Sequence, residues 1–281
     1  MRPALTAVLG LHLAVALFGF AGLFGQWLAL PPTVIVLGRT LVAALVLAFI
    51  AAIRHDRWAP SRGLAGNGVI LAIHWTTFFE AVQTAGVALA LLGYATFPLF
   101  VLVLERLILS RRWSRGEAAT ALLVMIGLVV LVPSFDPGHA SVRGLGWGVL
   151  SGFTFALLAV RGRRYAGAHS AVAVALWQNA FAALVLLPFV WIGRDALAVL
   201  TWRDAALIAV LGVVCTALAH TLFIAGLRRL SAHTASVIAA LEPVYGIALA
   251  AWLLHEVPTL RVLGGAAIIV GAALMASRRQ A

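Results

Sequence analysis

The residue with the most chemical potential is a carboxylate, Glu242, followed at once by Pro243 inside an apolar run over 233–254. A charged acid in the middle of a hydrocarbon-length run costs about 2.5–3.5 kcal/mol on insertion scales unless it is neutral, paired or wet. Pro243 removes a backbone hydrogen bond, so a kinked helix is expected there. Two roles fit Glu242. It can face a cavity and bind a substrate amine or take a proton, or it can cap loosened backbone or pair with Arg39. Arg39 lies in another apolar run, 33–53. Its planar fork can meet a substrate carboxylate. It can equally tie helices together or snorkel towards headgroups.

Other polar groups share this apolar setting. Gln178 and Asn179 stand side by side in the run 170–192, where they must face protein or water. His12, His74 and His220 also fall within runs, and none has a second ligand type at i,i+4, so no metal site is expected. His12 is singled out because its run is also rich in glycine. Trp75, Phe78, Phe79, Tyr94, Trp177 and Tyr245 cluster in the expected middle of the membrane. They fit either the walls of a site for an aromatic substrate or ordinary packing. An HExxH pattern, paired aspartates and a Ser/His/Asp constellation are all missing from the sequence, which argues against a membrane-embedded enzyme. The single cysteine, Cys215, cannot form an internal disulfide. No cofactor is expected.

The elements that must position these residues follow from composition. The chain of 281 residues is 63% hydrophobic and only 10% charged. A soluble domain is usually about half apolar and about a quarter charged. Ten windows approach the roughly 20 apolar residues of a membrane span: 4–28, 33–53, 64–84, 86–108, 116–132, 144–161, 170–192, 204–227, 233–254 and 258–276. The first is read as a span, not a removable leader. The runs are continuous, not alternating, which argues against strands. The boundary Thr84–Gly86 carries no charge, so the spans on either side must turn tightly.

Every one of the 20 basic residues is arginine. With the N-terminus in the cytoplasm, fifteen arginines fall on the inner side and four on the outer, with Arg39 inside a span. That bias places both termini in the cytoplasm. It also assigns the net charge of +11 to topology, not to nucleic acid. The second half repeats the first. Ala90-Leu91-Leu92 before Pro98 matches Ala235-Ser236-Val237 before Pro243, 145 residues later. The expected fold is an all-α membrane protein of ten transmembrane helices, as two five-helix repeats over 1–137 and 138–281. An odd number of spans per repeat turns the second copy upside down, the arrangement of secondary transporters. The copies differ where Phe97 stands opposite Glu242 and where Gly38-Arg39 stand near Gln178-Asn179.

Leu241-Glu242-Pro243-Val244, an apolar run to Leu253-Leu254, Glu256, Thr259, Gly264 and Gly271 resemble the closing signature of the EamA-type family in the drug/metabolite transporter superfamily. Within it the chain is similar to bacterial aromatic amino-acid exporters. The resemblance implies carrier-mediated export of amino acids or similar small metabolites across the bacterial inner membrane. A lipid bilayer is the expected partner, the placement of the arginines argues against nucleic acid, and a monomer is expected. Substrate contacts are expected from Glu242, His12, Trp75, Phe78, Phe79, Tyr94, Trp177, Gln178, Asn179 and Tyr245. Structural or gating roles are expected for Arg39, Pro98, Pro243 and Glu256. A multidrug efflux carrier of the same fold is the alternative.

Overall fold

The computed structural model describes residues 3–55, 59–109, 115–131, 136, 138–162, 170–230 and 238–278. The boundary between the repeats, expected at 137/138, falls in a stretch where Asp136 alone is described between 132 and 137. Ala235-Ser236-Val237 lie outside the described residues, as do Arg57, Arg111, Arg112, Arg163 and Arg164.

Helices are α1 (Pro3–Trp27), α2 (Pro32–Ile53), α3 (Arg62–Tyr94), α4 (Phe97–Leu109), α5 (Arg115–Leu131), α6 (Ala140–Gly162), α7 (Ala171–Ile192), α8 (Trp202–Gly212), α9 (Ala219–Leu227), α10 (Glu242–Leu253) and α11 (Leu260–Arg278). A π-helical stretch, Val213–Leu218, joins α8 to α9. Among the described residues there is no strand. Six helical segments are long and apolar enough to cross a membrane: Leu5–Trp27, Pro32–Ile53, Arg62–Tyr94, Ala140–Gly162, Ala171–Ile192 and Trp202–Leu227. Their outer faces carry large exposed apolar side chains, such as Phe49 (69%) on α2 and Trp202 (93%) on α8. Water would not tolerate such a belt, but hydrocarbon does.

α3 is not one rod. Phe78 and Tyr94 lie 16 residues apart, yet their ring centroids are 6.2 Å apart. A continuous helix would separate them by about 24 Å along its axis. The chain doubles back at Gly86, whose φ of 84° and ψ of 169° break the helix. Glycine is required there because a side chain is strained at positive φ. The new arm begins at Val87. Its first backbone N–H groups, of Val87 and Ala88, each donate to the Glu256 carboxylate at 3.1 Å. His255, at φ 56°, turns the chain after α10 so that Glu256 reaches them.

Two sequence expectations change. The span expected over 233–254 has no helix running through Glu242. Ala240 and Leu241 form a turn and α10 begins at Glu242, with Pro243 in its first turn. Proline suits that place, since its missing N–H would have no intrahelical partner there. The span expected over 86–108 is likewise interrupted at Ala95–Thr96, just before Pro98. Both prolines therefore start helices instead of kinking them.

α3 packs along α6, α2 along α7, α5 along α11, and α1 against α10 and α9. The α1–α10 crossing is tight. A Cβ on Gly19 would lie 2.7 Å from the Gly246 nitrogen and 3.1 Å from the Glu242 carbonyl oxygen. Gly19 is thus what lets α1 close over the start of α10.

Candidate functional site

Two groups of buried polar residues flank the first arm of α3. The first centres on Glu242, which is 6% exposed. The turn at 240–241 puts its carboxylate at the start of α10, and the Tyr94 hydroxyl hydrogen-bonds it. Tyr94 ends the second arm of α3 and is enclosed by rings. Phe97 stacks on it at 5.4 Å, Phe155 from α6 meets it edge-on at 5.3 Å, and Phe78 does so at 6.2 Å. His74 lies 5.7 Å from Tyr94 and 5.4 Å from Phe155. Its Nδ1 is 3.0 Å from the Ser151 carbonyl oxygen and 2.9 Å from the Ser151 hydroxyl, which fixes the ring against α6. Phe223 from α9 continues the wall, 6.2 Å from Phe155 and 5.5 Å from Phe18. One turn of α10 beyond Glu242, the Tyr245 hydroxyl is 2.9 Å from His12 Nδ1. That bond ties α10 to α1.

The second group centres on Arg39, 1% exposed. It does not pair with Glu242. Its Nε donates to Thr216 Oγ1 at 2.9 Å and its Nη2 to the Cys215 carbonyl at 3.4 Å. The π-helical stretch makes this possible, because Thr216 there bonds the Leu211 carbonyl five residues back at 2.8 Å. The guanidinium carbon lies 4.0 Å over the Trp75 ring and 5.5 Å over Phe79. Trp75 also meets His220 edge-on at 5.9 Å. His220 Nδ1 is 3.5 Å from Asn179 Nδ2, and that nitrogen donates to the Ala175 carbonyl at 2.8 Å.

The candidate residues therefore divide. Glu242, Tyr94, Phe78, His12 and Tyr245 gather on one side of α3. Arg39, Trp75, Phe79 and Asn179 gather on the other. Gln178 is buried without a side-chain hydrogen bond among the described residues. Trp177 packs against Phe181 at 5.6 Å and joins the apolar cluster of Leu47, Leu64 and Ile224. Pro98 and Pro243 open the helices that flank Tyr94 and Glu242. Glu256 is spent on the backbone of 87–88.

Sequence reasoning missed Phe97, Phe155, Phe223 and Ser151 as members of the first group. Two of them left a trace: Phe97 aligns with Glu242, and Phe223 with Phe78, at the offset of 145. Phe155 and Ser151 left none.

A polytopic helical protein with a buried acid and interrupted helices at its centre is a membrane carrier. The comparisons agree. The chain belongs to the EamA-like transporter family, whose profile matches residues 5–132 and again 142–278. It is 26% identical to an uncharacterized transporter, YxxF, of Bacillus subtilis (98% of this chain, 91% of the other). It is 28% identical to the pseudopaline exporter CntI of Pseudomonas aeruginosa (89% and 87%). A crystal structure of 19% identity superposes with a TM-score of 0.68 over 98% of both chains, which speaks to the fold. The protein is thus a multi-pass transporter of small molecules and not an enzyme.

Proposed function

We propose that this chain is a ten-span secondary carrier built of two inverted repeats, 1–137 and 138–281, with both termini in the cytoplasm of a bacterial inner membrane. It exports small amphipathic metabolites that carry a basic amine, amino acids with aromatic or other apolar side chains among them. The halves rock about a central site, and Glu242 receives the amine or, in its absence, a proton.

The observation that carries this reading is the buried Glu242, held by one tyrosine hydroxyl and walled by Phe78, Phe97 and Phe155 through Tyr94. An acid so placed attracts a cation, and aromatic walls suit an apolar or aromatic body. The doubled family match and the interruptions before Pro98 and Pro243 support the repeat. The relative named as an exporter supports the outward direction.

Efflux of radiolabelled phenylalanine from proteoliposomes tests the proposal. Saturable efflux is expected from the wild type, and Glu242→Gln should lower it by about a hundredfold, the scale of losing one buried charged hydrogen-bond partner. Efflux untouched by Glu242→Gln overturns the role of the acid. Efflux that rises with an acid exterior in the wild type and loses that dependence in Glu242→Gln identifies Glu242 as exchanging a proton for the amine.

A further inference from the structure

We propose that Arg39 is a second recognition point of the carrier, one that receives a carboxylate on the transported molecule separately from Glu242. The inference rests on the reading of the chain as a carrier of amphipathic metabolites and adds the anionic group to that class.

The argument begins with charge. A guanidinium buried in a membrane interior is costly unless an anion compensates it. Arg39 has no acidic partner among the described residues. Its neighbours are a hydroxyl, a carbonyl at 3.4 Å and two aromatic faces, all neutral. No acceptor among the described residues pairs with Nη1. A planar carboxylate is the natural complement of that open edge. The aromatic lining by Trp75 and Phe79 suits a carboxylate attached to an apolar or aromatic body.

A second buried group nearby also lacks a partner. Asn179 is fully buried and its Oδ1 has no hydrogen bond. Such an oxygen costs about 1–3 kcal/mol if nothing ever meets it. It is linked to the Arg39 group through His220 and Trp75. An open acceptor in the same buried group as an unpaired cation fits a ligand bearing both a carboxylate and an N–H or O–H donor.

Access follows the same three helices. A cavity of about 550 Å³ opens where α2 ends at Arg54, α7 begins at Ala171 and α9 ends at Arg228 and Arg229. Thr221, on its wall, has a buried hydroxyl without a partner. From there to Arg39, successive turns of α2, α7 and the π-helical stretch present the small buried residues Ala43, Ala175 and Ala217. A basic mouth therefore opens at one end of the helices that carry the Arg39 group, about 22 Å along α2 from Arg39 itself. Glu242 sits on the other side of the His74–Trp75 pair, so the two charges are separate subsites.

Two probes separate them: 3-phenylpropionate, which carries only the carboxylate, and phenethylamine, which carries only the amine. Binding to purified protein in nanodiscs is read from the rise in unfolding midpoint. Wild type should bind both. Arg39→Gln should weaken 3-phenylpropionate by at least about tenfold and spare phenethylamine, while Glu242→Gln should do the reverse. Asn179→Asp, which puts an acid into the group joined to Arg39 through His220 and Trp75, should also weaken 3-phenylpropionate selectively, and it keeps the test open if Arg39→Gln fails to fold. The proposal is overturned if 3-phenylpropionate fails to bind the wild type. It is also overturned if Arg39→Gln, or Asn179→Asp where Arg39→Gln does not fold, weakens both probes equally, the mark of a mere helix tie. Arg39-dependent binding of 3-phenylpropionate without phenylalanine efflux would reject the amine-based function and leave this inference standing.

Discussion

Replacing Gly86 by alanine tests the joint between the two halves. A Cβ there would sit 2.6 Å from Glu256 Oε1, on a residue with φ of 84°. The backbone strain alone is about 1–3 kcal/mol. Pushing the carboxylate away also loses at least one of its two bonds to Val87 and Ala88, each worth about 1.5–3 kcal/mol because the acceptor is charged. The stiffer unfolded chain returns about 0.4–1 kcal/mol. Gly86→Ala should therefore destabilise the protein by about 2–5 kcal/mol on these scales. In a Glu256→Ala background the clash has no object, and the same change should cost about 1–2 kcal/mol, the residue of strain over entropy. The assay is unfolding by sodium dodecyl sulfate in mixed micelles, followed by circular dichroism, for both single variants and the double variant. A coupling of about 1.5–3 kcal/mol is expected, since residues in contact depart from additivity. Additive effects would refute the idea that Gly86 is reserved for the carboxylate, and a neutral Gly86→Ala would refute the hairpin geometry.

Tyr94→Phe removes only the hydroxyl that reaches Glu242. It should weaken phenethylamine binding by about tenfold, the scale of one hydrogen bond to a buried charged group, with little change in helical content. Gly19→Ala puts a methyl group against Gly246 and should cost about 1–3 kcal/mol of stability by overpacking, read in the same unfolding assay. A fluorescent protein fused after Ala281 should report from the cytoplasm, as the arginine distribution requires, and a periplasmic signal would reverse the assigned topology.

Much of the architecture was written in the apolar runs. Five of the six long spans lie within a few residues of the windows expected for them, because hydrocarbon thickness dictates length and the breaks carry Pro31-Pro32 or arginine, while the sixth, Arg62–Tyr94, runs on through the turn at Gly86 into the next window. The turn at Gly86 stands where uncharged Thr84–Gly86 called for one. What stayed hidden was local geometry without a composition signal. Nothing in Val213–Leu218 marks a π-helical stretch, yet it orients the Cys215 carbonyl and Thr216 towards Arg39. Pro243 was legible as a disturbance, but a proline inside a helix and one at its start look alike in a continuous apolar run. Glu242 was legible as a buried acid, while its partner Tyr94 lies 148 residues away and could be paired with it only by the fold. Glu256 shows the same limit, since its partners are backbone groups and carry no side-chain signature at all.

The Glu256 joint sets a kinetic condition on the carrier. It fastens the second half to the first at the end of the bundle opposite Arg54, Arg228 and Arg229, where the cavity lies open. If the halves of the proposed carrier rock about this clamp, their swing is widest at the arginine end. Discharge on the far side needs the clamp to release or to travel as one piece with both halves. If discharge breaks both bonds, each worth about 1.5–3 kcal/mol, the clamped arrangement is favoured by roughly a hundredfold or more. The turnover rate of the carrier would then be governed by a carboxylate that never touches the cargo.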